Sequence, residues 1–99
     1  MQEFQRQVLE LTAKIPRGKV TTYKQIALAM GKPKAYRAVA RALAKNPHPI
    51  KIPCHRVIKS DGHIGGYAGG IEKKKNLLLH EGVEIKGNKV FLSKYFFKL

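Results

Sequence analysis

The chain has 99 residues, 43% of them hydrophobic, with one cysteine and a formal charge of +14 at pH 7. That length holds one small domain with a modest core, the lone cysteine excludes an internal disulfide, and no apolar run approaches the ~20 residues of a membrane span. The polar start Met1-Gln2-Glu3-Phe4-Gln5 does not read as a secretory leader, and four His with one Cys offer no zinc-ligand spacing, so the expectation is a reduced, cytoplasmic or nucleoid-associated domain, monomeric and without a metal.

Phe4, Val8, Leu11 and Ile15 recur at helical spacing with Leu9 on the flank, which predicts a helix from Phe4 to Ile15 ended by Pro16-Arg17-Gly18. Thr22-Tyr23-Lys24-Gln25 reads as a capping box, with Thr22 accepting from a first-turn N–H while Gln25 reaches back. The short helix it opens turns Ile26, Ala27 and Met30 inward and stops at Gly31 and Pro33. A third helix is expected from about Lys34 to Lys45. Its apolar side carries Ala35, Val39, Ala42 and Leu43, and Lys34, Arg37, Arg41 and Lys45 form a basic stripe. Two short helices joined by Gly31-Lys32-Pro33-Lys34, the second one basic, suggest a helix-turn-helix pair.

Further on, Asn46-Pro47-His48-Pro49 predicts a rigid turn. Ile50-Lys51-Ile52-Pro53 reads as a short extended apolar piece ending at Cys54-His55-Arg56, and Val57-Ile58 leads into a turn at Ser60-Asp61-Gly62. His63 to Gly70 holds four glycines around Tyr67 and reads as a loop. A last helix is expected from about Glu72 to His80, burying Ile71, Leu77 and Leu78, with Lys73-Lys74-Lys75 as its solvated start. Val83 to Phe91 predicts a hairpin turning at Gly87-Asn88, and the basic-aromatic tail Ser93 to Leu99 receives no assignment. The fold expected is mainly α, a small winged helix-turn-helix-like domain over residues 1–99 with a short C-terminal β-hairpin.

The charge is unevenly spread. The acids are Glu3, Glu10, Asp61, Glu72, Glu81 and Glu84, so none falls between Leu11 and Ser60, a stretch holding twelve Lys and Arg. Such a block builds a one-signed face whose natural partner is a polyanion, although a solvated lysine-rich surface would have the same composition. Nucleic acid is favoured over a membrane surface because no basic amphipathic helix carries bulky aromatics.

A lone cysteine is most often an inert buried hydrophobe. Here Pro53 forces a sharp end to the preceding segment, and His55 and Arg56 bring positive potential beside the Cys54 thiol, which favours the nucleophilic thiolate. A base of this kind needs a carboxylate to orient it, and Glu81, at the end of the last helix, is the best placed by position.

Ile52-Pro53-Cys54-His55-Arg56-Val57-Ile58 resembles the active-site signature of the O6-alkylguanine-DNA alkyltransferases. The resemblance runs from about Phe4 to Ile85 and includes, in order, Val20-Thr21-Thr22-Tyr23, Gln25-Ile26-Ala27, Arg37-Ala38-Val39, Asn46-Pro47, Gly69-Gly70 and His80-Glu81-Gly82. It implies that Cys54 accepts an alkyl group from O6-alkylguanine in double-stranded DNA, irreversibly and once per molecule. His55, through a bound water, would withdraw the thiol proton while Glu81 holds the imidazole. Tyr23 would donate its phenol proton toward the departing guanine. Arg37 would enter the duplex and fill the gap left by the flipped nucleotide, and Thr22, Lys34, Arg41 and Lys45 would meet DNA. Asn46, Pro53 and Arg56 would support the site, and Tyr67, Ala68, Gly69 and Val57 would form the base pocket.

The chemistry of the residues agrees with that implication. Displacing guanine from an alkyl carbon needs a soft, strong nucleophile and a protonated leaving group, which a thiolate and a phenol supply. No cofactor is called for, and no phosphate-binding glycine loop is present. The target is hidden in the base stack, so it must be rotated out at a cost of a few kcal/mol. Other readings of single residues are a core aromatic for Tyr23, a plain phosphate contact for Arg41, and structural or surface roles for His48, His63 and His80.

The sequence departs from the family pattern at Ala40, where Gly usually follows Arg-Ala-Val, and at Ala68, where many members carry a polar residue. The family's usual N-terminal α/β domain has no counterpart, so the resemblance is to a minimal single-domain member. The competing reading is a non-enzymatic alkyltransferase-like lesion binder. Such proteins lack the acceptor cysteine and often have Trp in its place, whereas Cys54 is present here and the chain has no Trp. A basic helix-turn-helix regulator with an incidental cysteine is the more distant alternative.

Overall fold

The computed structural model describes residues 2–48 and 50–99; Met1, and Pro49 of the expected Asn46–Pro49 turn, lie outside the described residues. Helix α1 spans Glu3–Thr12 and buries Val8, Leu9 and Thr12. It ends earlier than its periodicity suggests. Ile15 precedes Pro16, which disfavours a helical conformation there, and Ile15 instead closes a turn through its N–H to the Thr12 carbonyl while remaining in the core. Leu9, expected on the flank, faces inward, whereas Leu11 and Phe4 are only partly covered.

Strand β1 is Thr21–Thr22 and α2 follows at once as Tyr23–Ala29. Thr22 Oγ1 accepts from the Gln25 N–H at 3.0 Å, the Thr half of the capping box; among the described residues Gln25 donates no reciprocal bond. Gly31, at φ +72°, ends the helix in the left-handed conformation, and the N–H of Lys32 returns to the Ala27 carbonyl, as in a Schellman-type stop. Helix α3 covers Tyr36–Ala44 and packs on both α1 and α2. Its start falls two residues after the expected one because Ala35 N–H closes a turn on Lys32 O. Lys34 therefore precedes the helix and Lys45 caps it.

The segment Ile50–Pro53 is not an extended apolar piece. Ile50 adopts φ +76° and is 54% exposed, and the Ile52 N–H returns to the His48 carbonyl. The chain turns here, bringing Pro53 and a single 3-10 turn, Cys54–Arg56, under the end of α3. Strand β2, Val57–Ile58, then pairs in parallel with β1, Thr21 against Val57 and Thr22 against Ile58. Successive strand residues point to opposite faces, and β2 uses this fully. Val57 enters a cluster with Val8, Ile26, Val39 and Cys54, whereas Ile58 enters a second with Val20, Ile64, Leu78 and Tyr95.

Helix α4, Ile71–His80, presents Lys74 and Leu78 inward. Ile71, expected to be buried, is 44% exposed; it shares a side with positions 74 and 78 but is the first residue of the helix, a turn short of the inward contacts of Lys74. Strands β3 (Ile85–Lys86) and β4 (Lys89–Val90) form the expected antiparallel hairpin, with Gly87 and Asn88 both at positive φ as a two-residue primed turn requires. The tail that the sequence leaves unassigned contains α5, Leu92–Tyr95. Val20 donates to Tyr95 O and accepts from the Phe97 N–H, so the tail pairs with the residue preceding β1. The architecture is mainly helical, with a helix-turn-helix pair and a small hairpin.

The hairpin braces the loop after β2. The Val90 N–H donates to Gly62 O at 2.8 Å, and His63 bridges to Lys89. A Cβ on Gly62 would stand 2.8 Å from the Val90 carbonyl oxygen, at φ +95°. Gly62→Ala is expected to cost about 1–3 kcal/mol of stability, read as a lower denaturant midpoint; an unchanged midpoint would show that the hairpin yields freely.

Candidate active site

Cys54 lies in the first position of the 3-10 turn, 7% exposed, in the wall of a pocket of about 370 Å³. Tyr23, Ala40, Lys59, Tyr67 and Ala68 also line it. The parallel pair brings Tyr23 here, since Tyr23 directly follows β1 and Cys54 lies three positions before Val57, the start of β2. Asn46 fixes the approach to the turn. Its Nδ2 donates to Ile52 O at 2.9 Å and its Oδ1 accepts from the His48 N–H at 2.9 Å.

The next residue of the turn, His55, is fully buried. Its Nε2 stands 3.0 Å from Glu81 Oε2, and its Nδ1 is buried with no hydrogen-bond partner among the described residues. Burial lowers the imidazole pKa, and the opposing pull of Glu81 does not overcome it, so the ring is neutral near pH 7. A carboxylate accepts only, which assigns the proton to Nε2 and leaves the Nδ1 lone pair free to act as a base. Burial on its own would raise the Glu81 carboxyl, but bonds from Arg56 and His55 outweigh it and hold the group at about 2. Arg56 supplies a two-pronged contact, Nε to Oε1 at 2.9 Å and Nη2 to Oε2 at 2.7 Å, and its Nη1 donates to the Ile15 carbonyl at 2.8 Å.

The largest correction concerns Lys74. Read from sequence as part of a solvated helix start, it is 1% exposed. Its Nζ donates to Val57 O at 2.8 Å, Gly66 O at 3.1 Å and the Tyr23 hydroxyl at 3.4 Å. It therefore pins the strand after the cysteine, the glycine loop and the phenol at one point. Burial lowers its pKa to about 8. Burial and the neighbouring Cys54 push the Tyr23 phenol up to about 12, which keeps it protonated as a donor. Burial likewise raises Tyr67. The only sequence signal for Lys74 was its position one turn before Leu78.

Other candidates are placed less centrally. Val57 is in the core and meets the site through its carbonyl. Gly69 supports the Tyr67 ring, since a Cβ there would stand 3.1 Å from it. Pro53 is buried beneath the turn. Arg37 faces a groove next to the pocket, shared with Tyr23 and Lys24, but Arg41 and Lys45 face a separate groove beside Phe4 and Gln5. The basic stripe is thus divided around α3. Thr22 is 5% exposed, its hydroxyl engaged in the cap, and Lys34 is exposed in the turn before α3. Among the described residues no helix is long and apolar enough to cross a membrane, and no group of three or more metal-ligating side chains comes together.

The model of the 6-O-methylguanine DNA methyltransferase DNA-binding domain matches residues 3–83. The chain belongs to that family. Relatives named methylated-DNA–protein-cysteine methyltransferase include one from Methanothermobacter thermautotrophicus, 52% identical over 86 residues, covering 86% of this chain and 47% of the relative. The Homo sapiens relative is 50% identical over 82 residues, covering 82% of this chain and 40% of the relative. This methyltransferase-family domain thus spans under half the length of these two relatives. Among solved structures it is similar to S. pombe Atl1 in complex with damaged DNA containing O6-carboxymethylguanine. That match has a TM-score of 0.88 and 37% identity, over 100% of this chain and 98% of the other. Mycobacterium tuberculosis OGT in complex with DNA gives a TM-score of 0.80 at 43% identity, over 82% of this chain and 50% of that one.

The Glu81 network of this domain carries a definite acid dependence. A carboxyl at 4.5 ordinarily and about 2 in the fold stabilises the fold above 4.5, and that contribution is lost as pH falls from 4.5 toward 2. Denaturant titrations across that interval should show a steep loss in the parent protein. Glu81→Gln should be flatter there and less stable at neutral pH. Matching slopes for the two proteins would place the charge of Glu81 outside the stability balance.

Proposed function

We propose that this domain reverses alkylation damage by transferring the alkyl group of an O6-alkylguanine in duplex DNA to Cys54, once and irreversibly. The observation that carries this reading is the cysteine in the wall of a pocket, followed in the same turn by a buried, neutral, carboxylate-oriented histidine. His55 Nδ1, through a water, takes the thiol proton. The sulfur lone pair forms a bond to the alkyl carbon as the carbon–O6 bond breaks, and that electron pair passes into the guanine. The Tyr23 phenol gives its proton to the purine as the base leaves, with the Lys74 ammonium donating to the phenol oxygen. The product is a thioether, which no side chain here can cleave, so the protein is consumed as a reagent and its place of work is the DNA itself, in cytoplasm or nucleoid.

Reaching the pocket requires the nucleotide to leave the stack. Arg37, exposed at the groove beside the pocket, is suited to filling the gap, because a guanidinium can both stack on bases and hydrogen-bond to the orphaned partner. Arg37→Ala should therefore slow repair of duplex DNA far more than transfer from free O6-benzylguanine, whereas Tyr23→Phe should slow both. Equal losses for Arg37→Ala on the two substrates would assign it to the pocket instead.

A second reading, a lesion binder that transfers nothing, is favoured by the end-to-end match with S. pombe Atl1. Mass analysis after mixing with an O6-methylguanine oligonucleotide separates the two. Transfer gives a gain of one methylene on Cys54, one per protein molecule and absent in Cys54→Ser, which should still bind. Tight binding with no mass gain identifies the binder, and more product than protein would refute a stoichiometric reagent.

The acid-free block generates a salt dependence. Log K for DNA should fall by ~0.9 per phosphate neutralised as log salt rises, and Arg41→Ala with Lys45→Ala should shallow that slope. A flat salt response would place the DNA face elsewhere.

A further inference from the structure

The Cys54 pocket opens onto a second space of about 550 Å³ bounded by Lys24, Tyr36, Arg37 and Asp61. Those four residues do not line the inner pocket, and Cys54, Tyr67 and Ala68 do not line the outer one. Three residues line both, namely Tyr23, Ala40 and Lys59. They form the doorway, and Lys59 is its one cation.

Lys59 is exposed and makes no ion pair among the described residues. The nearest acid in sequence, Asp61, is turned to its own loop, accepting from the His63 N–H at 3.0 Å and lying 2.9 Å from His63 Nδ1. The Lys59 backbone is fixed, its N–H donating to His63 O and its carbonyl accepting from the Gly62 N–H. Its stem passes over Gly65, where a Cβ would stand 3.6 Å from Lys59 Cγ and 3.3 Å from the Tyr23 hydroxyl. A cation on a fixed backbone therefore stands at the rim with no internal anion to hold it.

A nucleotide whose O6 substituent reaches Cys54 enters base first. Its sugar and flanking phosphates stay continuous with the duplex and stop at the doorway. We propose that Lys59 clamps a phosphate flanking the extruded nucleotide, a contact made only when the base occupies the inner pocket. The clamp rests on the reading that an O6-alkylguanine enters that pocket, and it holds whether or not the alkyl group is then transferred. It also differs from a general phosphate contact, which positions the protein equally on any duplex.

The test is a cycle between protein and DNA backbone. Dissociation constants are measured in Cys54→Ser, which cannot consume the lesion and serves as the parent protein here, and in its Lys59→Ala and Lys59→Arg derivatives, on matched duplexes containing O6-methylguanine or guanine. Each lesion duplex is also made with an uncharged methylphosphonate at the phosphate 5′ or 3′ of the lesion. Lys59→Ala should weaken lesion binding about tenfold, the size of one charge-assisted hydrogen bond, with a smaller loss on undamaged duplex, and Lys59→Arg should retain the parent affinity. One of the two methylphosphonates should reproduce the loss in the parent protein and add little in Lys59→Ala. Additive losses at both phosphates, or an equal loss on undamaged DNA, would overturn the clamp. A parent protein with no preference for the lesion would overturn both the clamp and entry of the base. The mass of Cys54 in separate mixtures of the unsubstituted protein with the lesion duplex reports transfer independently. Non-additive losses with unmodified Cys54 support the clamp and count against transfer, and additive losses with methylated Cys54 do the reverse.

Discussion

The Glu81 carboxylate and the Arg56 fork that grips it join three parts of the chain that are far apart in sequence. Arg56 belongs to the turn that carries Cys54, Glu81 caps α4, and the remaining Arg56 nitrogen reaches the Ile15 carbonyl beyond the end of α1. A buried ion pair of this kind adds little net stability over a hydrophobic replacement, yet losing one partner strands the other at a cost of about 3–5 kcal/mol. Its value is therefore positional. With both carboxylate oxygens held, His55 can take only one orientation, and which ring nitrogen is left unengaged is decided by a helix end 26 residues away.

The second constraint is the parallel contact of β1 with β2. Each strand is two residues long, yet the pairing sets the distance between the Tyr23 phenol and the Cys54 thiol. Tyr23 starts a helix immediately after one strand, and Cys54 sits in a turn immediately before the other. Lys74 closes the arrangement from below, bonding the β2 backbone and the loop that carries Tyr67. A lysine desolvated this far is tolerated because three oxygens surround its ammonium.

Much of this arrangement was legible in the residues because the signals are local. The helix-turn-helix pair follows from apolar spacing and the Gly31 stop, the hairpin from Gly87-Asn88, and the grouping of Cys54, His55 and Glu81 from a scarcity of acids that left few candidates to orient the histidine. Non-local determinants were illegible. Two-residue strands are too short to alternate visibly, so the β1–β2 pair left no pattern. Lys74 stands in a run of three lysines whose composition reads as solvated, and only the carbonyls of Val57 and Gly66, distant in sequence, give it reason to turn inward. Ile50 reads by its apolarity as part of an extended segment, but the turn that delivers Cys54 requires a backbone conformation at that position which leaves the side chain in solvent.

The tail beyond α4 bears on where this folding unit ends. The segment shared with the family model stops at residue 83, but the second apolar cluster is completed by Val90 and Tyr95, and Val20 is hydrogen-bonded on both sides by the backbone around Phe96. A fragment trimmed to the conserved-domain boundary would keep every residue assigned to chemistry. It would also uncover Val20, Ile58 and Leu78, and remove the strand that supports the loop bearing Lys59. The limits of the recognisable motif and of the cooperative core are thus different, and the core is the longer of the two.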